Sequence, residues 1–89
     1  MTRREKNLME VIVTIEKLGY TSCDYNVIMT EFFAHDLYGS DDETQVLPPH
    51  IGVWIKPEDR NIWANTGLWD DTVITGEGDT MAIYYFSDK

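Results

Sequence analysis

Leu8, Val11, Ile12, Ile15 and Leu18 recur at three- and four-residue intervals, with Glu10, Glu16 and Lys17 between them. That spacing lays one apolar stripe along a helix. Thr2 stands where an N-cap hydroxyl is wanted, and Gly19 where a helix stops. A second helix is predicted from Asp24 to Tyr38, entered through Thr21 and Ser22 and ended by Gly39. In it Tyr25, Ile28, Met29, Phe32 and Phe33 share a broad apolar side. Asp24, Glu31 and His35 form an adjacent strip, and Asp36 lies at the edge of the apolar side.

Gly39 to Thr44 reads as a polar, acidic loop, and Pro48-Pro49 stiffens the approach to the next element. From His50 the apolar period changes to two. Ile51–Lys56 and Asn61–Asn65 read as strands joined by a type I turn at Pro57-Glu58-Asp59-Arg60. Asn65-Thr66-Gly67 breaks that run, and Asp70-Asp71 marks a further turn or bulge. Thr72–Thr75 and Thr80–Phe86 form a second hairpin around Gly76-Glu77-Gly78-Asp79. The expected fold is α+β: two N-terminal helices packed on an antiparallel sheet of three to five strands built from the C-terminal half.

Met81, Ile83 and Tyr85 point to one face of the last strand, and Ala82, Tyr84 and Phe86 to the other. Neither set is polar. Either the strand is covered on both sides or it shows aromatics to solvent. Trp54 and Trp63 become cross-strand neighbours if the first hairpin has the right turn length. With Trp69 they offer an aromatic binding face, unless the rings simply fill the core.

The chain has 89 residues, 43% hydrophobic and 12% aromatic. That suits one domain spanning 1–89, with a modest core and no room for a deep multi-residue cleft. Cys23 is the one cysteine, so no internal disulfide forms and a reducing cytoplasm fits. Arg3-Arg4 is followed by no long apolar stretch, which argues against a secretion signal or membrane span.

Catalytic and metal chemistry find little footing. Cys23, His35 and His50 lack the spacing of a zinc site. Asp36 to Glu43 lacks the calcium-loop pattern. His35 follows Cys23 by 12 residues; on one helix that is about 18 Å, too far for a nucleophile and its base. Gly76-Glu77-Gly78 carries an acid and precedes a strand, so it reads as a turn and not a phosphate loop. No catalytic residue, metal or cofactor is expected.

Charge alters the picture most. Net charge is −9. From Leu18 to Ile55 there is no Lys or Arg, yet Asp24, Glu31, Asp36, Asp41, Asp42 and Glu43 are present. From Asn61 to Asp88 the same holds, with Asp70, Asp71, Glu77, Asp79 and Asp88. These two stretches hold 11 of the 16 acids. Soluble domains ordinarily intersperse their signs. A field of one sign repels nucleic acid and anionic membranes and attracts basic proteins. Direct nucleic-acid binding is disfavoured further because the predicted second helix has no basic residue to meet phosphate.

Duplex DNA presents one charge per roughly 1.7 Å of axis, and carboxylates on turns and loop tips imitate part of such an array. The candidate surface runs from Asp24, Glu31 and Asp36 through Asp41, Asp42 and Glu43, with Asp70, Asp71, Glu77 and Asp79 as a second cluster. In size, charge and composition the chain resembles the small acidic proteins with which phages and mobile elements disable host machinery, DNA mimics and anti-CRISPR proteins among them. Such proteins share no fold, so the resemblance implies a mode of action and no site residues. It implies a non-enzymatic inhibitor in the bacterial cytoplasm, monomeric or homodimeric, that covers a basic nucleic-acid-binding host protein. The alternative is an immunity, accessory or other interaction domain using Trp54, Trp63 and Trp69.

Overall fold

The computed structural model describes residues 2–66 and 69–87. Its first element, α1 (Arg3–Leu18), has the expected ends. Thr2 and Glu5 form a reciprocal capping box, and Gly19 closes the helix in the left-handed region at φ 74°. Val11 and Ile15 are buried, Leu8 and Leu18 pack at the margin, and Ile12 is left exposed at the edge of the stripe.

The second helix is largely absent. Residues 24–38 divide into β1 (Tyr25–Ile28), β2 (Phe32–Phe33) and a short α2 (Ala34–Tyr38). Only its end was correctly placed, at Gly39 with φ 68°. Tertiary pairing overrides the helical spacing here: β1 runs antiparallel to β4 (His50–Trp54), Tyr25 opposite Val53 and Ile28 opposite His50. Asp24, Glu31 and His35 therefore share no helix face.

Asn61–Asn65 is likewise not a strand. A 3-10 turn at Pro57–Asp59 leads into α3 (Arg60–Thr66). Pro57 at the first turn with Glu58 and Asp59 behind it suits a helix start. Of the predicted break after Asn65, Gly67 lies outside the described residues. The second hairpin is present, as β5 (Asp71–Ile74) paired with β6 (Thr80–Tyr85).

These strands form a four-stranded antiparallel sheet in the order β1-β4-β6-β5, with β2 and β3 (Val46–Leu47) as a separate two-stranded ribbon. The sheet thus takes a strand from the N-terminal half as well. Its period-two pattern divides the core. Ile51, Val53, Ala82 and Tyr84 pack with Val11, Ile15 and Trp63 on the α1/α3 side. Val73, Met81, Ile83 and Tyr85 pack with Ala34, Tyr38 and Leu47 on the other. The last strand is covered on both sides. Each fully buried large side chain contributes about 1.5–3 kcal/mol relative to exposure.

Tyr20 ties the α1/α3 side together. Its hydroxyl donates to Asp59 at 2.7 Å and accepts from Trp63 Nε1 at 3.2 Å. The Lys56 ammonium lies 4.5 Å over its ring. Burial raises the phenol pKa above its ordinary value, and Asp59 adds to the rise.

Candidate protein-binding surface

The connection between β1 and β4 (residues 29–49) forms the layer over the sheet face opposite α1 and α3, and it contains no Lys or Arg. Ala34 and Tyr38 turn inward, which leaves Asp36 outside, and the following loop exposes Asp41, Asp42 and Glu43. Glu31 is exposed in the link between β1 and β2. The charge segregation in the sequence thereby becomes a segregation of layers. Arg3, Lys6, Lys17 and Arg60 lie on α1 and α3, mixed with Glu5, Glu10 and Glu16.

His35 lies within electrostatic reach of three of these acids. Its Nδ1 lies 2.7 Å from the Ser40 carbonyl. That bond raises the imidazole pKa above its ordinary value, and Glu43, Asp36 and Asp41 raise it further. Asp42 is held by Thr44, whose hydroxyl and backbone amide donate to it at 2.6 and 2.9 Å. Those bonds lower its carboxyl pKa.

The hairpin tip joins the same side. Gly76 N donates to the Tyr38 carbonyl at 3.2 Å, and the two backbones touch at Gly39 and Gly76. Glu77 and Asp79 are therefore carried to the end of α2, where the acidic loop begins.

Other predicted acids are engaged internally. Asp70 accepts from the Arg4 guanidinium and from Tyr85 N, joining α1 to β6. Asp71 accepts from Thr72 N at 2.8 Å and the Tyr85 hydroxyl at 3.1 Å. Burial first, then Asp71 and Asp70, push the Tyr85 phenol up to about 12. Asp24 is buried, accepts from Thr21 N at 2.9 Å and meets Lys56 Nζ at 3.5 Å. The Thr21 bond lowers its pKa, with Lys56 assisting.

The three tryptophans do not make one face. Trp63 is fully buried on α3, and Trp69 packs at the edge of the same core. Trp54 lies across from Met81, not Trp63, and is 36% exposed. More exposed than any of the described tryptophans are Phe32 (45%) and Phe33 (47%), with Met29 (70%) and Val46 (41%) exposed on the same connection. Sequence reasoning assigned the phenylalanines to a helix's apolar side and missed their exposure. Both rings are exposed because the short ribbon of β2 and β3 turns neither of them into a core cluster, a placement that helical spacing does not reveal.

Trp54 lines an open cleft of about 520 Å³, walled by Tyr25, Leu37, Tyr38 and Met81 and edged by Glu77 and Asp79. Cys23, exposed in a turn before β1 and not before a helix, borders it. Both ring nitrogens of His50 are occupied, by the Pro48 carbonyl at 2.7 Å and the Tyr38 hydroxyl at 2.8 Å. Among the described residues no group of three or more His, Cys, Asp or Glu side chains is placed to hold a metal ion, and no helix is long and apolar enough to cross a membrane. No protein-family model, curated protein or solved structure matches the chain.

Proposed function

We propose that this chain is a small acidic, non-enzymatic inhibitor that covers the basic nucleic-acid-binding surface of a bacterial host protein, in the manner of phage-encoded DNA mimics. The observation that carries the reading is the layer between β1 and β4, which exposes Glu31, Asp36, Asp41, Asp42 and Glu43 and contains no Lys or Arg. Such a surface steers a basic partner from a distance and fixes its orientation. The test is capture from a bacterial lysate by the immobilised protein, followed by elution with duplex DNA. Supporting the reading are release by DNA and loss of capture by the D41K/D42K/E43K variant. Capture that ignores both DNA and charge reversal refutes it.

A second reading is favoured by Phe32, Phe33, Met29 and Val46, large apolar side chains that are left exposed on the same layer. An interaction or accessory domain docking there would lose its partner on Phe32→Ala with Phe33→Ala and keep it at raised salt.

A further inference from the structure

The cleft beside the acidic loop has a definite chemistry. Trp54 contributes an aromatic residue to its lining, Leu37 and Met81 contribute apolar ones, and Glu77 and Asp79 contribute acidic ones. Among the described residues that line it there is no Lys, Arg or His. A mainly apolar trough lined by an aromatic residue and two acidic ones complements one kind of side chain: a cation on an aliphatic stem. Arginine suits it better than lysine, because a planar guanidinium stacks on an indole and forks onto carboxylates. About 520 Å³ accommodates such a side chain with the backbone that carries it.

The cleft is also held in shape. Gly76 N bonds the Tyr38 carbonyl at 3.2 Å, fixing one wall against another. Tyr38 is fixed in turn by His50 at 2.8 Å. The Asp24 carboxylate is occupied by Thr21 and Lys56, which leaves Glu77 and Asp79 to receive the incoming charge.

We infer that this cleft is a recognition pocket for a single arginine side chain presented by the partner protein. The inference builds on the reading of the chain as a binder of a basic partner and gives that partner an anchoring residue. It is tested without the partner, so its failure and the failure of that reading are separable.

The probes are the blocked peptide Gly-Gly-Arg-Gly-Gly, its citrulline isostere, and spermidine, each titrated near physiological salt, where the general attraction of a −9 protein for cations is screened, and followed by amide and indole NMR. The arginine peptide is expected to shift the Trp54 indole and the Gly76, Glu77 and Gly78 amides. It should also slow alkylation of Cys23. The citrulline peptide should bind at least tenfold more weakly. E77Q/D79N should weaken the arginine peptide at least fivefold and W54A at least threefold, with the remaining spectrum retained. D41K/D42K/E43K, which alters only the surrounding field, should weaken it less than E77Q/D79N does. Overturning results are shifts that fall outside the cleft, citrulline binding within twofold of arginine, or spermidine binding as tightly as the peptide. The last would make the cleft a general polyamine site.

Discussion

The Tyr38 hydroxyl lies 2.8 Å from Nε2 of His50, directly over the α-carbon of Gly52. Nδ1 of His50 donates to the Pro48 carbonyl at 2.7 Å, so Nε2 is the acceptor and the phenol the donor. A Cβ added at Gly52 would meet the Tyr38 oxygen at 2.2 Å and the ring carbon behind it at 3.1 Å. We expect Gly52→Ala to cost about 1–3 kcal/mol by overpacking. In a Tyr38→Phe background the cost should shrink without vanishing, since the ring carbon is still close. Tyr38→Phe alone should cost about 1–3 kcal/mol by leaving a buried acceptor unpaired. Urea denaturation of the four proteins gives the coupling directly; simple additivity would remove the steric account.

The two histidines should titrate in opposite directions. Burial holds the His50 imidazole below its ordinary value, against a smaller opposing effect of the Pro48 bond. His35 is raised by the Ser40 carbonyl and by Glu43, Asp36 and Asp41. In the unfolded chain both titrate near about 6.5. Below that value the unfolded state takes up a proton that folded His50 refuses, so stability falls as pH falls. His35 works the other way. Its contribution is full below about 6.5 and is lost as pH rises through its higher folded value. NMR titration of the ring protons should place His35 above His50; the reverse order would contradict both environments.

Part of this arrangement is legible along the chain and part is not. The caps of α1 and the hairpin at Gly76–Asp79 are local: Thr2, Glu5, Gly19 and the Gly-Glu-Gly-Asp turn act within a few residues. Tyr25 to Ile28 fits a helix as well as a strand, and its pairing with β4 decides the matter from a distance. Pro57-Glu58-Asp59 was readable as a helix start, but the following Asn61–Asn65 showed too little periodicity to reject a strand. Charge segregation pointed to an acidic surface. That Asp24, Asp70 and Asp71 are occupied internally depends on Lys56, Arg4 and Tyr85, which no spacing rule brings to them.

That division among the acids is testable. Asp70 accepts from Arg4 and from Tyr85 N. Asp70→Asn should cost about 1–3 kcal/mol, since a charged acceptor serving two donors is lost. D41K/D42K/E43K should cost less, about 1 kcal/mol, since it removes the exposed bonds from Thr44 to Asp42 while relieving repulsion within the loop. Equal loss of stability in both variants would mean that the loop carboxylates also hold the fold.

Trp63 and Trp54 should separate in the same way. Trp63 is fully buried, donates from Nε1 to Tyr20 and tilts against Tyr84. Trp63→Ala should cost about 3–5 kcal/mol. Trp54→Ala, at a site left partly exposed in the cleft wall, should cost about 1 kcal/mol or less. Thermal or urea unfolding distinguishes them; comparable losses would place Trp54 in the core.

The contact between Gly39 and Gly76 makes the hairpin and the acidic loop one surface, and two glycine substitutions isolate it. A Cβ at Gly76 would meet the Gly39 carbonyl oxygen at 2.9 Å, a backbone atom with no side-chain rotamer to yield. Gly76 does not have a positive φ, so the effect of Gly76→Ala is steric alone. Gly78 is the converse: its φ is 90°, and nothing lies within 4 Å of the added carbon. Gly78→Ala should cost about 1 kcal/mol through backbone strain while leaving the hairpin seated on α2. Gly76→Ala should lengthen the 3.2 Å bond to the Tyr38 carbonyl and lift the hairpin away. Amide exchange at position 76 should then accelerate relative to the rest of β5 and β6. In Gly78→Ala it should change only in step with global stability. If exchange at position 76 is equally slow in both variants, the junction tolerates the added methyl and the two acidic clusters are not held together by it.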